Sequence, residues 1–171
     1  MFCFEEKITV VPQDIKPITK LTTLCYIEQE DKYLMLYRSK KENDQSMGKW
    51  LGVGGKLEPG ESPDDCAVRE VFEETGLRLT EYRCRGFITF VSDVWDNEIM
   101  FLYTADGYQG EIKDKCNEGR LEWIPKDKIM ELNMWEGDRI FLKELIEGKD
   151  FINLKLVYEG DRLVSFENYS A

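Results

Sequence analysis

The stretch from Gly55 to Leu77, GKLEPGESPDDCAVREVFEETGL, constrains this chain more than any other. Its middle is a helix with both ends written into the sequence. Ser62 is a good N-cap, Pro63 suits the first helical position, and Asp64 and Asp65 favour the positive end of the helix dipole. The helix is expected to run through Glu74, with Gly76 placed to stop it. Glu70, Glu73 and Glu74 stand at i, i+3 and i+4, so three carboxylates share one face. Arg69 beside them can neutralise only one. Bare, they repel one another, and in an ordinary Glu-rich helix they would make a solvated acidic face. The Gly-rich turn ahead of the helix offers another use. Peptide carbonyls exposed there can point at the same place, and carboxylates with a carbonyl form an oxygen-rich site for a hard cation such as Mg²⁺ or Mn²⁺. Val68, Val71 and Phe72 are expected to anchor the rest of the helix surface in the core.

The chain has 171 residues, 34 Asp and Glu against 23 Lys and Arg, and no histidine. The length fits one domain with a real core. One domain over residues 1–171 is expected, with its core at about 20–166 and residues 1–19 as an N-terminal extension. Without histidine, Ser-His-Asp triads, Cys-His dyads, His-ligated zinc and imidazole bases are impossible. Chemistry must run on carboxylates, lysine, tyrosine, cysteine or a metal held by oxygen. A formal charge of −11 argues against nucleic acid or an anionic membrane as a partner. The N-terminus lacks an apolar run of signal length, and no stretch approaches the roughly 20 apolar residues of a membrane span. Cys3, Cys25, Cys66, Cys84 and Cys116 form no CxxC pair and cannot all pair with one another. Reduced thiols in a cytoplasmic protein explain them most simply. Cys66, near the acidic helix but with no histidine to activate it, reads as a small hydrophobe.

Along the chain, Lys20 to Glu28 and Lys32 to Arg38 are apolar and aromatic runs joined by Gln29-Glu30-Asp31, and read as a strand hairpin. Trp50 to Gly55 reads as a short Gly-rich strand. Arg78 to Ser92 and Glu98 to Ala105 are further strands across an Asp93–Asn97 turn. Leu121 to Ile124 is a short strand, Lys126 to Glu131 a helical turn, and Gly137 to Glu147 an amphipathic helix. Phe151 to Tyr158 and Arg162 to Phe166 complete a terminal hairpin. The expected class is α/β, one mixed sheet with helices on both sides.

The order of residues in the acidic stretch resembles the Nudix box: Gly, five residues, Glu, seven residues, Arg-Glu-aliphatic, one residue, Glu-Glu, one residue, Gly-aliphatic. Gly55, Glu61, Arg69, Glu70, Val71, Glu73, Glu74, Gly76 and Leu77 supply it without departure. The resemblance implies a hydrolase of a diphosphate linked to another moiety, usually a nucleoside derivative. It implies an α/β/α sandwich whose box is a loop-helix-loop that binds Mg²⁺. By similarity, Glu70, Glu73 and Glu74 are metal ligands, joined by the carbonyl of Gly54 or Gly55. Arg69 holds the carboxylates and Glu61 braces the loop. One of these acids can serve as general base, since neighbouring charge raises its pKa.

Family members often carry another acid on a loop before a strand that ends in Trp. In Asn117-Glu118-Gly119-Arg120-Leu121-Glu122-Trp123, Glu118 is the candidate and Glu122 its rival. Arg38, ending the second strand near the glycines, matches a phosphate-contacting residue of relatives. Beyond the box, the chain resembles MutT-type enzymes that hydrolyse oxidised purine nucleoside triphosphates. Their base is held by a Trp, two neighbouring acids and an Asn before the glycine strand. Trp135 and Asp138 match the first and one of the acids, and Phe90 is placed to flank the pocket. Leu51 replaces the Asn and Gly137 the other acid, which loosens the expected base discrimination. Trp135 reads equally as a core aromatic.

The leading expectation is Mg²⁺-dependent hydrolysis of a nucleoside triphosphate to monophosphate and pyrophosphate. The alternatives are a pyrophosphatase of ADP-ribose or another nucleoside diphosphate derivative, and a nucleotide-binding regulator without catalysis. Monomer and homodimer stay open.

Overall fold

The computed structural model describes residues 15–40, 42–114 and 116–170. Cys3 and most of the expected N-terminal extension lie outside the described residues, as do readings made on the chain's first residues. The strands are β1 (Ile18–Gln29), β2 (Lys32–Arg38), β3 (Trp50–Leu51), β4 (Arg78–Ser92), β5 (Asn97–Gln109), β6 (Gly119–Pro125), β7 (Ile152–Glu159) and β8 (Arg162–Asn168). The helices are α1 (Pro63–Thr75) and α2 (Glu136–Ile146), with a 3-10 turn over Lys126–Glu131.

The hairpin expected of β1 and β2 exists only at its tip. Glu28 faces Tyr33 and Gln29 faces Lys32, and the strands then part. β1 goes on to pair in parallel with β5, from Ile18 opposite Asn97 to Ile27 opposite Ala105. β2 is flanked instead by β3 and β6, both antiparallel. The physical reason lies in Leu24-Cys25-Tyr26-Ile27, buried at every position. A strand apolar on both faces needs a layer on each side, and a two-stranded hairpin supplies neither. The Gly-rich segment is also less regular than expected. Only Trp50–Leu51 is strand, while Val53 and Lys56 make isolated bridges to Cys25 and Thr22.

Two subsheets result, a mixed one in the order β1-β5-β4-β7-β8 and an antiparallel one around β2. Alternation along the mixed sheet sorts its side chains between two helices. Leu24, Tyr26, Ile88, Leu102, Leu154 and Leu156 pack with Phe141, Leu142 and Leu145 of α2. Cys25, Ile27, Tyr103 and Ala105 pack with Ala67 and Val71 of α1. This is the α/β/α sandwich.

α1 begins as the sequence indicates. The Ser62 hydroxyl accepts from the Asp65 N–H at 3.1 Å, and the Asp65 carboxylate accepts from the Ser62 N–H at 3.0 Å. Gly76 ends the helix in the left-handed region, φ +84°, its N–H donating to the Phe72 carbonyl at 2.9 Å. The expected anchors need correction. Cys66, Ala67, Val71 and Thr75 form the buried stripe, whereas Phe72 is 42% exposed, with the Arg78 guanidinium 4.4 Å from its ring centre. At 100° per residue the stripe spans roughly half the helix from Cys66 to Thr75, and Phe72 falls beyond its edge. The four described cysteines, Cys25, Cys66, Cys84 and Cys116, are free. Cys66 is fully buried, its sulfur 3.3 Å from the Thr23 hydroxyl, and burial raises its thiol pKa, as an unreactive packing residue requires. Among the described residues no helix is long and apolar enough to cross a membrane.

Candidate active site

Arg69 organises the loop before α1. Its Nε donates to Glu61 Oε1 at 2.6 Å and its Nη2 to Glu61 Oε2 at 2.9 Å, a bidentate grip. Nη2 also reaches the Lys56 carbonyl at 3.1 Å, and Nη1 reaches Glu70 Oε1 at 2.7 Å. Glu61 accepts the Glu58 N–H at 2.8 Å as well. With Arg69 first and that N–H second, its pKa is held down at about 2. Glu61 therefore braces the loop, and Arg69 links that brace to Glu70.

Three acids turn inward together. Glu70 and Glu74, one helical turn apart, face the glycine turn and the end of β2. Gly55 lies so close that a Cβ there would sit 2.4 Å from the Glu70 carboxyl carbon. Glu118 arrives from the loop before β6. The β2–β6 register sets Gly119 opposite Arg38, and any side chain at 119 would collide with the Tyr37 carbonyl. Glu118 is thereby fixed beside Arg38, whose Nη1 donates to it while Nε donates to Asp44 at 2.6 Å. Glu74 is only 7% exposed, and its Oε2 is enclosed without a hydrogen bond. Burial first, then the Glu118 carboxyl, then Glu70, raise the Glu74 pKa far above the ordinary carboxylate range. Burial raises Glu70 too, with Arg69 opposing and Glu73 and Glu118 adding. Glu73 does not join them. Its side chain is 57% exposed, 3.3 Å from Arg69. Glu122, on the outer face of β6, is exposed beside Arg120.

The donor set suits a hard divalent cation. It consists of carboxylate oxygens, one of them buried and unpartnered, in a place where like charges need a counterion. Among the described residues, however, no three acidic or thiol side chains are gathered closely enough to form a finished cage. The Gly55 carbonyl already accepts the Thr23 N–H at 2.9 Å, which takes one of its two lone pairs.

A cleft of about 480 Å³ opens where β1 and β2 part, and reaches back to Gly54 and Gly55. Arg38, Leu51, Phe90, Trp135 and Asp138, all picked out in the sequence, line it. Trp135 is mostly buried. Its indole N–H donates to Ser46 Oγ at 3.0 Å, Phe90 and Tyr158 meet it edge to face, and the Lys49 ammonium lies 4.3 Å from the ring centre. It is at once a core aromatic and a wall of the cleft. Asp138, in the first turn of α2, is 9% exposed. Its pKa is pushed up to about 7 by burial and by the charge of Glu98, against Arg139 and Lys49.

Lys20, Thr22, Lys56, Glu98 and Met100 also line the cleft, and the sequence reading passed over them. Alternation puts Lys20, Thr22 and Leu24 on one face of β1, and Glu98, Met100 and Leu102 on one face of β5. That signal was readable, but the parallel register joining Lys20 to Glu98 and Thr22 to Met100 was not.

A family model described as the NUDIX domain matches residues 19–145. Over 140 residues the chain is 31% identical to the Nudix hydrolase YvcI of Bacillus subtilis (strain 168), covering 80% of this chain and 85% of that one. Over 136 residues it is 32% identical to the oxidized purine nucleoside triphosphate hydrolase of Danio rerio, covering 78% and 84%. The crystal structure of the mutator MutT protein from Bacillus halodurans superposes with a TM-score of 0.81 at 26% identity, covering 90% of this chain and 99% of that one.

Proposed function

The chain belongs to the Nudix hydrolase family, and from that premise we propose a Mg²⁺-dependent nucleoside triphosphate diphosphohydrolase that releases a monophosphate and pyrophosphate. Residues 18–168 act as one catalytic domain, since β7 and β8 extend the sheet that β1, β5 and β4 begin. The observation that carries the reading is one cleft with two unlike ends. One end is lined by Gly54, Gly55 and Arg38, with Glu70 standing directly behind Gly55 and Glu118 held on Arg38, and farther along the walls are the aromatic side chains Phe90, Trp95 and Trp135. A flat base and a polyphosphate ask for that pairing. The relative named for oxidized purine nucleoside triphosphates supports this substrate class.

Nudix hydrolases generally use divalent metal ions, and here Glu70, Glu74, Glu118 and a glycine-turn carbonyl would hold Mg²⁺. When bound, the cation supplies charge neutralisation at the phosphate oxygens and lowers the pKa of water. The chain's own residues do the rest. Glu118, braced by Arg38, takes the proton of the attacking water as its oxygen bonds to phosphorus and a bridging P–O bond breaks. Arg69 and Glu61 keep Glu70 aimed at the glycine turn. Lys20, Lys56 and Arg38 offset phosphate charge along the cleft.

The test is hydrolysis of a panel of ordinary and oxidised triphosphates, with ADP-ribose beside them, in Mg²⁺ and in chelator. Pyrophosphate from a triphosphate supports the reading; AMP and a sugar phosphate from ADP-ribose alone would replace it. Glu70→Gln should lower kcat by about 10²-fold or more with an unchanged circular dichroism spectrum. Full activity in that variant would remove Glu70 from the site.

A further inference from the structure

A side chain at Gly137 would press on the sheet beneath the first turn of α2. A Cβ at Gly137 would lie 2.4 Å from Leu156 Cδ1 and 2.7 Å from the Tyr158 hydroxyl, which accepts the Gly137 N–H at 2.7 Å. The first turn of α2 is seated directly on β7, so only Asp138 of this helix can offer a carboxylate to the cleft. That carboxylate is nine-tenths buried, lines the cleft and accepts no hydrogen bond among the described residues. Its oxygens are not among the enclosed polar atoms left without a partner, so they open on the cleft, where a ligand's donor would take the place of water.

A second carboxylate faces the same space from the opposite wall. Glu98 is the second residue of β5, set by register between Lys20 of β1 and Phe90 of β4. Its Oε2 accepts the Thr22 hydroxyl at 2.8 Å. A carboxylate offers about four acceptor sites, so this donor orients Glu98 without filling it. Its charge reaches Asp138, which is one cause of that residue's raised pKa.

We propose that Glu98 is a specificity-determining residue, forming with Asp138 a pair of carboxylate acceptors that reads the donor edge of a guanine-type base. The inference rests on the nucleotide hydrolase reading above and names the base edge that reading left open. The edge in question carries a ring N–H and an exocyclic amino group side by side. Two donors placed between two carboxylates satisfy both and relieve their repulsion. An edge lacking the amino group leaves one carboxylate without a donor. Desolvated acceptors without partners reject such bases.

dGTP and dITP differ only in that amino group, so they isolate the contact. Wild-type protein with Mg²⁺ should favour dGTP by about tenfold or more in kcat/KM. Glu98→Leu should reduce the ratio to about threefold or less, chiefly through the KM for dGTP. Glu98→Gln, which keeps the shape and the Thr22 contact, should fall between them. Calorimetric binding of GMP and IMP, which needs no turnover, should show the same order. A folded Glu98→Leu protein with the wild-type ratio, or a wild type indifferent to the amino group in both assays, overturns the proposal. If the wild type cleaves no triphosphate, the underlying reading fails first, before any variant is made. If Glu98→Leu does not fold, the Glu98→Gln ratio and the GMP and IMP affinities decide.

Discussion

Asp138 and Arg69 show how differently one ionisable group can be treated within one chain. Arg69 is given three carboxylates and a carbonyl to hold, and its charge is more secure folded than unfolded. Asp138 is buried and lifted from the ordinary aspartate range to about 7. Its folded pKa lies above its unfolded one, so the native state binds the extra proton between those values. Stability from this group is fully present below about pH 4, declines as pH rises through 7 and is flat above. The loss is on the order of a few kcal/mol. Asp138→Asn removes the titration. In metal-free thermal melts, the variant's Tm should gain on the wild type steadily from pH 4.5 to pH 8. A constant difference would mean that Asp138 keeps an ordinary pKa.

At the scale of elements, the glycine turn and α1 divide stability from activity. The 2.4 Å approach at Gly55 is to the tip of the Glu70 side chain, not to backbone. Gly55→Ala should therefore leave Tm nearly unchanged, since a less flexible unfolded chain offsets a small displacement. The carboxylate must swing away, and turnover should fall by about 10²-fold. Melting curves and initial rates on one preparation check both halves. This helix was legible in the sequence because its signals are local: Ser62, Pro63, the i, i+3, i+4 acids and Gly76 lie within one short span. Trp135, Asp138, Phe90, Leu51 and Arg38 were found through resemblance, and the structure gathers all five around one cleft. The separation of β1 from β2 was not legible, because β1's partner enters the chain only at Asn97. Glu98 went unnoticed for the same reason, and the exposure of Glu73 depends on which way the helix faces a loop some 45 residues on.

For the whole molecule, a charge of −11 and the enclosed, unpartnered Glu74 carboxylate oxygen make the metal-free protein a stressed one. Divalent cation should raise Tm, because binding to the native state alone stabilises it by about 2.7 kcal/mol at a hundredfold excess over Kd. For a chain of this size that is a rise of about 5–10 °C, reversed by chelator. Glu74→Gln should melt higher than the wild type without metal and lose most of the metal-induced rise. Differential scanning calorimetry with Mg²⁺, with Mn²⁺ and with chelator measures both effects. A variant that melts lower in chelator would show that the Glu74 carboxylate supports the fold instead of straining it.

The parting of β1 from β2 also sets the order in which the molecule can be assembled. Arg69 meets Glu61 across only eight residues, whereas Thr22 meets Glu98 across 76. The first contact closes a short loop within about a microsecond, and the second must await long-range parallel pairing, the slow class of folding event. During synthesis the acidic loop and helix emerge before β5, whereas Glu118 and the floor of the cleft come after it, so the two halves of the site are made at different times.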